Sequence, residues 1–580
     1  LSLPEKNWLI LPHEHHRCKI MSQELAIPEA MAALLLARGL ENRSQVEKFL
    51  SPQLADLPSP FLMKGMREAT DLILDALATQ KPIIVYGDYD VDGSTGAALL
   101  SIFLKRIGFS TVYQCQPDRL SEGYGVHLET VKRMMPEDIF LRAPLLITVD
   151  CGISSNQQIK ELQGLGCQVI VSDHHRPPPE LPEATAILNP WQEDCGFPDK
   201  NLAGAGVAFY LTMGVRSRLR DEKGRDDLPN LKDFLDLVSL GSISDLVAIT
   251  GVNRIMVKAG LEVLRSAARP GLDELCKVSG VFRPATSVHD ISFRLAPRLN
   301  AAGRLGDAGQ TLTLLSTDDR LSAEKLALEL DRTNSIRKEI LEKICSQAML
   351  QAEKAIKEGA LALALAGDGW HPGVLGIAAA RLMERFYRPV ILFARKDGIL
   401  KGSGRSLPGL DLHAILKEKN ELFSSFGGHP AAVGMSLPAE RFEELSSFLQ
   451  EKMRSHTGCL SGKPDLLINW LDKDGEIINP GFFKYYELME PFGPGNPEPV
   501  FAAKVELIQG REVGAGHLKF SVKINGAILN GIGFAQAGRL SEPDFKSGHQ
   551  MMMAFRLRRN FFRGKSEWQA EALDFCHAPY

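Results

Sequence analysis

The spacing of apolar positions changes several times along this chain, and the changes mark its parts. Residues 1–60 carry helical spacing, as in Met31-Ala-Ala-Leu-Leu-Leu-Ala-Arg-Gly39, where the glycine stops a short helix. Beyond residue 61, short β-branched apolar runs alternate with helical stretches. Pro82-Ile-Ile-Val-Tyr86, Leu145-Leu-Ile-Thr-Val149 and Gln168-Val-Ile-Val171 read as strands, with helices over Ser94–Ile107 and Ser154–Leu165. Strands that are apolar throughout and alternate with helices predict a parallel sheet covered on both faces. From Ser322 to Lys357 the sequence is rich in Ala, Leu, Glu, Lys and Arg and contains no Gly or Pro. A helix of that length spans roughly 50 Å and suits a bridge between domains. Ala360–Ala366 and Pro389-Val-Ile-Leu-Phe393 belong to a second α/β unit. After Pro464, short strands, Gly-rich turns and many aromatics predict a small β-barrel. The expected fold class is α/β, divided into a helical segment 1–60, a parallel-sheet domain 61–320, a bridging helix 321–358, a second α/β domain 359–463 and a barrel domain 464–580.

Composition sharpens this in three places. The chain has 580 residues, more than one hydrophobic core usually serves, which fits several domains. Its formal net charge is −4, yet residues 501–580 hold eleven Lys/Arg against seven Asp/Glu. A basic terminal unit on an otherwise acidic chain points to a polyanionic partner. The nine cysteines contain no CxxC pair, so neither a zinc framework nor a disulfide framework is indicated and a reducing compartment fits. No apolar run approaches the roughly 20 residues needed to cross a bilayer. The start, Leu1-Ser-Leu-Pro-Glu-Lys6, lacks the basic and apolar regions of a signal peptide. The expected location is the cytoplasm, with no membrane partner.

The candidate chemistry is acidic. Gly87-Asp-Tyr-Asp-Val-Asp-Gly93 follows a strand directly and places Asp88, Asp90 and Asp92 on alternate positions. Such a density of carboxylates repels itself unless a hard cation such as Mg²⁺ or Mn²⁺ is present. The competing readings are an acidic surface turn or the start of an EF-hand. The second fails because position 12 counted from Asp88 is Leu99 and a strand precedes the loop. Two further strands end in the same manner, one at Asp150 and one at Asp173-His174-His175. Ligands of open α/β sheets bind beyond the carboxyl ends of strands, so three strands deliver metal-competent groups to one edge. Asp245 follows an apolar helical stretch and by itself is equally well an N-cap or an exposed acid. Carboxylates mixed with imidazoles fit a pair of cations that can activate a bridging water for an in-line displacement at phosphorus. The chain has no P-loop lysine and no Ser/His/Asp elbow, so hydrolytic phosphoryl chemistry is the natural inference.

Taken together, the Asp88–Asp92 triplet, Asp150, Asp173-His174-His175 and Asp245 resemble the motifs of the DHH phosphoesterase superfamily. The resemblance implies that Asp88, Asp90, Asp92, Asp150, His174 and Asp245 hold two Mn²⁺ or Mg²⁺ ions, and that His175 supports a ligand or contacts the scissile phosphate. It also implies that residues 61–320 form a DHH domain, 359–463 a DHHA1-type domain and 464–580 an OB-fold-like domain. Phe426-Gly-Gly-His-Pro-Ala-Ala432 is similar to the Gly-Gly-His motif of the DHHA1 partner domain, with His429 reaching the cleavage site; by itself it would be a plain glycine turn. Lys401-Gly-Ser-Gly-Arg-Ser406 offers amides, hydroxyls and a guanidinium suited to a terminal phosphate. Trp370-His-Pro-Gly-Val-Leu-Gly376 reads mainly as packing.

The extra domains are similar to the RecJ branch, as are Arg119-Leu-Ser-Glu-Gly-Tyr-Gly125, Arg294–Arg304 and Glu490–Pro499. A departure is Leu246-Val-Ala-Ile249, where the pattern leads us to expect a proline near Ala248. The branch implies 5′→3′ hydrolysis of single-stranded DNA to 5′-mononucleotides, in DNA repair and recombination. On that reading Arg119, Arg304, Ser403 and Arg405 seat the 5′ phosphate. Arg558, Arg559, Phe561 and Arg563, in a run of five cations and two phenylalanines, contact the strand by neutralisation and stacking; the alternative is a hairpin with its Phe residues in the core. A single-strand-binding protein and repair helicases are partners by resemblance, and a monomer is expected. Two rival readings are a DHH phosphodiesterase for short oligonucleotides or cyclic dinucleotides, and an inactive DHH scaffold in a replication assembly. The scaffold should have lost carboxylates, and here every expected acidic position is filled.

Overall fold

Helices on both faces of a parallel sheet allow its strands to be apolar on both sides, and the first unit of the fold is built on this. The computed structural model describes residues 6–119, 121–266, 269–456, 464–514, 516–543, 545–562 and 565–576. The first unit comprises Leu40–Asn334 and Tyr485–Glu498. Its strands are β1 (Ile83–Gly87), β2 (Val112–Cys115), β3 (Leu145–Val149), β4 (Gln168–Ser172) and β5 (Ala186–Leu188). They lie in the order β2-β1-β3-β4-β5, every pair parallel. All residues of β1 and β3 are buried. Alternate side chains feed two cores: Ile83 and Val85 join Phe103, Phe209 and Leu237 on one face, while Ile84 and Tyr86 join Val131, Ile159 and Leu162 on the other. The helices that matter for the site are α1 (Val91–Arg106), α2 (Gly204–Lys223) and α3 (Leu235–Ser244).

A buried arginine attaches the late segment Tyr485–Glu498 to this unit. Arg254 is 3% exposed. Its Nε donates to the Phe49 carbonyl at 2.9 Å, its Nη1 to Pro491 at 3.3 Å, and its Nη2 to Leu488 and Glu490 at 3.1 Å each. The guanidinium also lies 3.9 Å from the centre of the Phe49 ring. Asn496, fully buried, donates to the carbonyls of Met489 and Pro491, so the Glu490–Pro499 motif folds around its own amide.

α4 (Arg320–Lys357) runs for 38 residues, about 57 Å at the usual rise. Its first turns, to Asn334, belong to the first unit and the rest to the second. The second unit contains a five-stranded sheet in the order Ser425–His429, Ala432–Pro438, Ile399–Arg405, Val390–Lys396, Leu363–Asp368. The last pair is parallel and the others antiparallel. It also contains a closed barrel. Phe501–Val513, His517–Ile524, Ala527–Gly533, Lys565–Cys576 and Gln550–Phe562 pair in succession, and the last returns to the first.

Two findings differ from the sequence-based expectation. Residues 1–60 are not one helical segment: Asn7–Ile10 is a strand paired in parallel with Asp465–Ile468, and residues up to Gly39 group with the second unit. Trp8 Nε1 donates to Asp574 Oδ2 at 2.9 Å. A four-residue strand whose partner lies at the far end of the chain leaves no periodic signal. Likewise, residues 485–498 group with the first unit rather than with the barrel, because the carbonyls of that loop satisfy Arg254. Among the described residues no helix is long and apolar enough to cross a membrane.

Replacing Arg254 with Met should remove a donor from four backbone carbonyls, most of them at least partly buried, and destabilise the protein by about 2 kcal/mol. Urea unfolding checks this, and Arg254→Lys should recover only part of the loss.

Candidate metal centre and active site

Each of the first three acidic segments begins one residue past a strand, and the sheet's own hydrogen bonding places it. The Asp88 amide donates to the Val149 carbonyl of β3 at 3.1 Å. The Asp150 amide donates to Ser172 of β4 at 3.0 Å, and the Asp173 amide to Leu188 of β5 at 3.0 Å. The carboxylates therefore stand side by side like steps along the carboxyl edge of the sheet. Asp150 takes a left-handed backbone conformation (φ 65°), which an aspartate tolerates better than most residues. Thr148 Oγ1 braces the turn that follows, donating to the Cys151 carbonyl at 2.7 Å.

The rest of the cluster comes from helix ends. Asp90 caps α1, its Oδ1 accepting from the Gly93 amide at 3.0 Å. Asp92, two residues further on in the first turn of α1, accepts from the first amides of α2: Gly204 to Oδ2 at 2.6 Å and Ala205 to Oδ1 at 3.0 Å. An anion at a helix N-terminus is favoured by the unpaired amides and the helix dipole. Asp245 closes α3. His174 Nε2 lies 3.0 Å from Asp150 Oδ1, 3.6 Å from Asp245 Oδ2 and 3.9 Å from Asp92 Oδ2. Asp88, Asp92 and Asp150 are at most 3% exposed.

Three glycines admit these close approaches. A Cβ on Gly204 would lie 2.6 Å from Asp150 Cβ. One on Gly241 would lie 2.5 Å from Asp92 Oδ1, and one on Gly93 2.5 Å from the Asp88 carbonyl.

Asp173 serves a different purpose. Its Oδ1 accepts from the His174 and His175 amides and from His175 Nδ1 at 2.8 Å, and its Oδ2 from the Ile153 amide at 3.0 Å. It is fully buried and saturated, so it fixes both imidazoles rather than facing the cluster. Tyr124 Oη also lies 3.0 Å from His175 Nδ1.

The electrostatics are those of a site that needs positive charge. Burial pushes the carboxyls of Asp88, Asp92 and Asp150 well above the usual range, and neighbouring aspartates push them further: Asp90 for Asp88, Asp245 for Asp92, Asp92 for Asp150. Burial and Asp90 raise Asp245 to about 7. Burial and the adjacent His175 lower His174 to about 4, leaving it a neutral imidazole with a free lone pair. Burial would lower His175 too, but its hydrogen bond to Asp173 prevails and raises it to about 9. Burial likewise opposes ionisation of Asp173, yet the His175 bond and the amides hold it below the usual range.

The residues fit divalent cations. Asp88 Oδ1, Asp150 Oδ1 and His174 Nε2 are buried with no hydrogen-bond partner. The last two lie 3.0 Å apart yet outside hydrogen-bond geometry, as two ligands facing a common third body would. Three sets have ligand atoms within 4.8 Å of one another: Asp88, Asp90 and Asp150; Asp150, His174 and His175; Asp92, His174 and Asp245. Asp150 and His174 are each shared between two sets, so the donors form one continuous cluster.

The other residues singled out from sequence lie as follows. The Arg119 guanidinium sits 4.9 Å from the centre of the Tyr89 ring, inside the acidic loop. Arg304 acts electrostatically on the same tyrosine, and neighbouring Gly303 packs against its carbonyl. In the second unit, His429, Ala432 and Arg405 share one row of the sheet, with Ser403 two rows along. Arg405 Nη1 donates to Ser403 Oγ at 3.1 Å. Gly376, read from sequence as packing, seats these two: a Cβ there would lie 2.5 Å from Arg405 Nη2. In the barrel, Arg558 is paired across strands with Glu571 at 2.8 Å, and Arg559 lies 5.5 Å from the centre of the Trp568 ring. Trp568 also stacks on Phe483 at 4.7 Å. Arg563 and the Phe561 side chain lie outside the described residues. Sequence reasoning missed Tyr124, Gly204 and Gly241 as site residues. Gly-rich Ala203-Gly-Ala-Gly206 was the available signal for the second of these.

Fold and cluster together define a class, a DHH phosphoesterase. Residues 82–242 match the N-terminal domain of the DHH family, residues 357–455 the DHHA1 domain and residues 474–574 the RecJ OB domain. The single-stranded-DNA-specific exonuclease RecJ of Dickeya dadantii is 37% identical over 94% of this chain and 96% of its own length. That of Escherichia coli is 36% identical over 94% and 95%. The crystal structure of Thermus thermophilus RecJ in complex with Mn²⁺ superposes with a TM-score of 0.80 at 30% identity, covering 99% of this chain and 80% of that one. Its complex with Mg²⁺ gives 0.73 at 28%. The chain belongs to the RecJ family.

The raised Asp245 gives a pH signature. Its contribution to stability is complete below pH 3.8 and is lost as pH rises through about 7, because the folded state holds the proton longer than the unfolded state. In EDTA, the Tm of the wild type relative to Asp245→Asn should therefore fall by several degrees between pH 5 and pH 8. Mn²⁺ at pH 7.5 should reverse the order, raising the wild type more than the variant.

Proposed function

We propose that this protein is a divalent-metal-dependent exonuclease that hydrolyses single-stranded DNA from the 5′ end and releases 5′-mononucleotides. The observation that carries this reading is the set of buried, unpartnered donor atoms on Asp88, Asp150 and His174 in a chain of the RecJ family. Asp88, Asp90, Asp92, Asp150, Asp245 and His174 would hold two Mn²⁺ or Mg²⁺ ions. The bound cations would supply the positive charge that acidifies the attacking water and offsets the charge developing on an in-line phosphoryl displacement. The chain's own groups do the rest. The backbone ladder fixes Asp88 and Asp150 relative to each other, and the α2 amides hold Asp92. Asp173 accepts a hydrogen bond from His175 Nδ1 and so fixes the ring, leaving Nε2 to contact a phosphate oxygen. His429, exposed on a hairpin of the second unit, is assigned to substrate contact.

Arg119 with Arg304 in the first unit, and Ser403 with Arg405 in the second, are assigned to anion binding, each within its own unit. In the barrel, Arg558, Arg559, Phe561 and Arg563 are assigned to strand contact, and the Arg559 guanidinium lies over the Trp568 ring. The presence of the barrel favours long single strands over short or cyclic oligonucleotides as substrate. The full acidic set argues against an inactive scaffold.

Digestion of end-labelled single-stranded oligonucleotides with Mn²⁺ or Mg²⁺ tests the reading. Wild type should shorten strands from the 5′ end and lose activity in EDTA. Asp150→Ala should be slower by on the order of a hundred- to a thousand-fold. Retention of full activity by that variant, or preference for the 3′ end, would refute the proposal. In the same assay Arg405→Ala should discriminate less between 5′-phosphorylated and unphosphorylated strands, raising KM for the former more than it lowers kcat.

A further inference from the structure

We propose that Gln116 is a positioning residue for the metal cluster: its side-chain amide ties the two ends of the acidic loop together and so sets where the Asp88 carboxylate points. The inference rests on the metal-dependent reading above and adds to it a residue outside the acidic motifs.

Cys115, the last residue of β2, pairs with Tyr86 of β1. Gln116 therefore stands beside the point where β1 turns into the loop that carries Asp88, Asp90 and Asp92. Its side chain is 5% exposed. Nε2 donates to the Asp88 backbone carbonyl at 2.7 Å and to Ser94 Oγ at 2.9 Å. A carbonyl oxygen can only accept, so the amide nitrogen must face it and the flipped amide is excluded. Ser94 is fully buried in the first turn of α1, two residues after the last acid of the triplet. One amide thus joins the entry of the loop to its exit. The chain three residues on braces the loop's middle, where Arg119 covers the Tyr89 ring.

Gln116 is an awkward choice for packing alone. Its Oε1 is buried without a hydrogen-bond partner, a cost that an apolar side chain of similar size would not carry. The Asp88 carbonyl has little freedom to move alone, because Gly93 already packs against it. A hydrogen bond there governs the tilt of the whole Asp88 peptide and hence the direction of its unpartnered Oδ1. Groups that orient a ligand in this way typically change metal affinity by ten- to a hundred-fold when lost. Leucine at this position exchanges one unsatisfied oxygen for another, so metal binding should suffer more than folding.

The test uses the full chain with Gln116→Leu, Gln116→Glu and Ser94→Ala. Mn²⁺ binding is measured by loss of the free-ion electron paramagnetic resonance signal, and Tm is measured in EDTA. Both Gln116 variants should bind Mn²⁺ roughly ten- to a hundred-fold more weakly. The Leu variant should melt within a few degrees of wild type in EDTA. Exonuclease activity should fall steeply at limiting Mn²⁺ and recover substantially at saturating Mn²⁺, with KM for DNA unchanged. Ser94→Ala keeps the bond to Asp88 and should lose clearly less affinity. The Glu variant is isosteric and keeps the comparison valid if the Leu variant folds poorly. Wild-type Mn²⁺ affinity in both Gln116 variants, or an equal loss in Ser94→Ala, would overturn the proposal. Failure of the wild type itself to bind Mn²⁺ would instead overturn the metal reading on which it rests.

Discussion

Five aspartates brought together out of water is the constraint around which the first unit is organised. A carboxylate in a low-dielectric interior is costly, and a second beside it raises the cost for both. Three of these side chains are at most 3% exposed, and their neighbours are other acids. Amides at the start of α2 relieve one of them, Asp92. The Gly93 amide relieves Asp90; for the others the available counterweight is a cation, which is why donor atoms on Asp88, Asp150 and His174 remain without partners inside the protein. A core made only for stability would not tolerate that arrangement.

The scaffold tolerates it because position is imposed from outside the cluster. Five parallel strands, two of them buried throughout, give the edge its rigidity, and the offset ladder hands each acid to the next strand. Glycines at 93, 204 and 241 let backbone and carboxylate come closer than any side chain would permit. Asp173 spends its whole hydrogen-bonding capacity on the two histidines and their neighbours. Precision at the site therefore comes from main-chain hydrogen bonds and close packing, which lose little to thermal motion, rather than from long flexible side chains.

Much of this was legible in the sequence. Apolar β-branched runs ending in Asp gave the sheet, its parallel sense and the three strand-end acids, because those signals are local and repeated. The 38-residue helix was equally plain, since nothing in Ser322–Lys357 interrupts it. Asp245 was ambiguous by itself, as its significance depends on α3 ending beside Asp92 and His174, a tertiary fact. Gly241 was invisible for the same reason, and Gly204 showed only as part of a Gly-rich run: what they make room for lies elsewhere in the chain. The Asn7–Ile10 strand and the docking of residues 485–498 depend on partners hundreds of residues distant. The pairing of Arg558 with Glu571 is likewise a cross-strand fact that a count of charges does not show.

The loop held by Arg254 also bears on how the molecule is made. Because Tyr485–Glu498 completes the first unit while Lys484 and Pro499 belong to the second, the chain passes from one unit to the other four times. On the ribosome, then, the catalytic sheet emerges early, but the pocket for the Arg254 side chain is not closed until most of the polypeptide has been translated. Throughout that interval a charged guanidinium lacks three of its four carbonyl partners. Nascent chains stalled before residue 485 should be clients for chaperones, even with every acid of the cluster already in place.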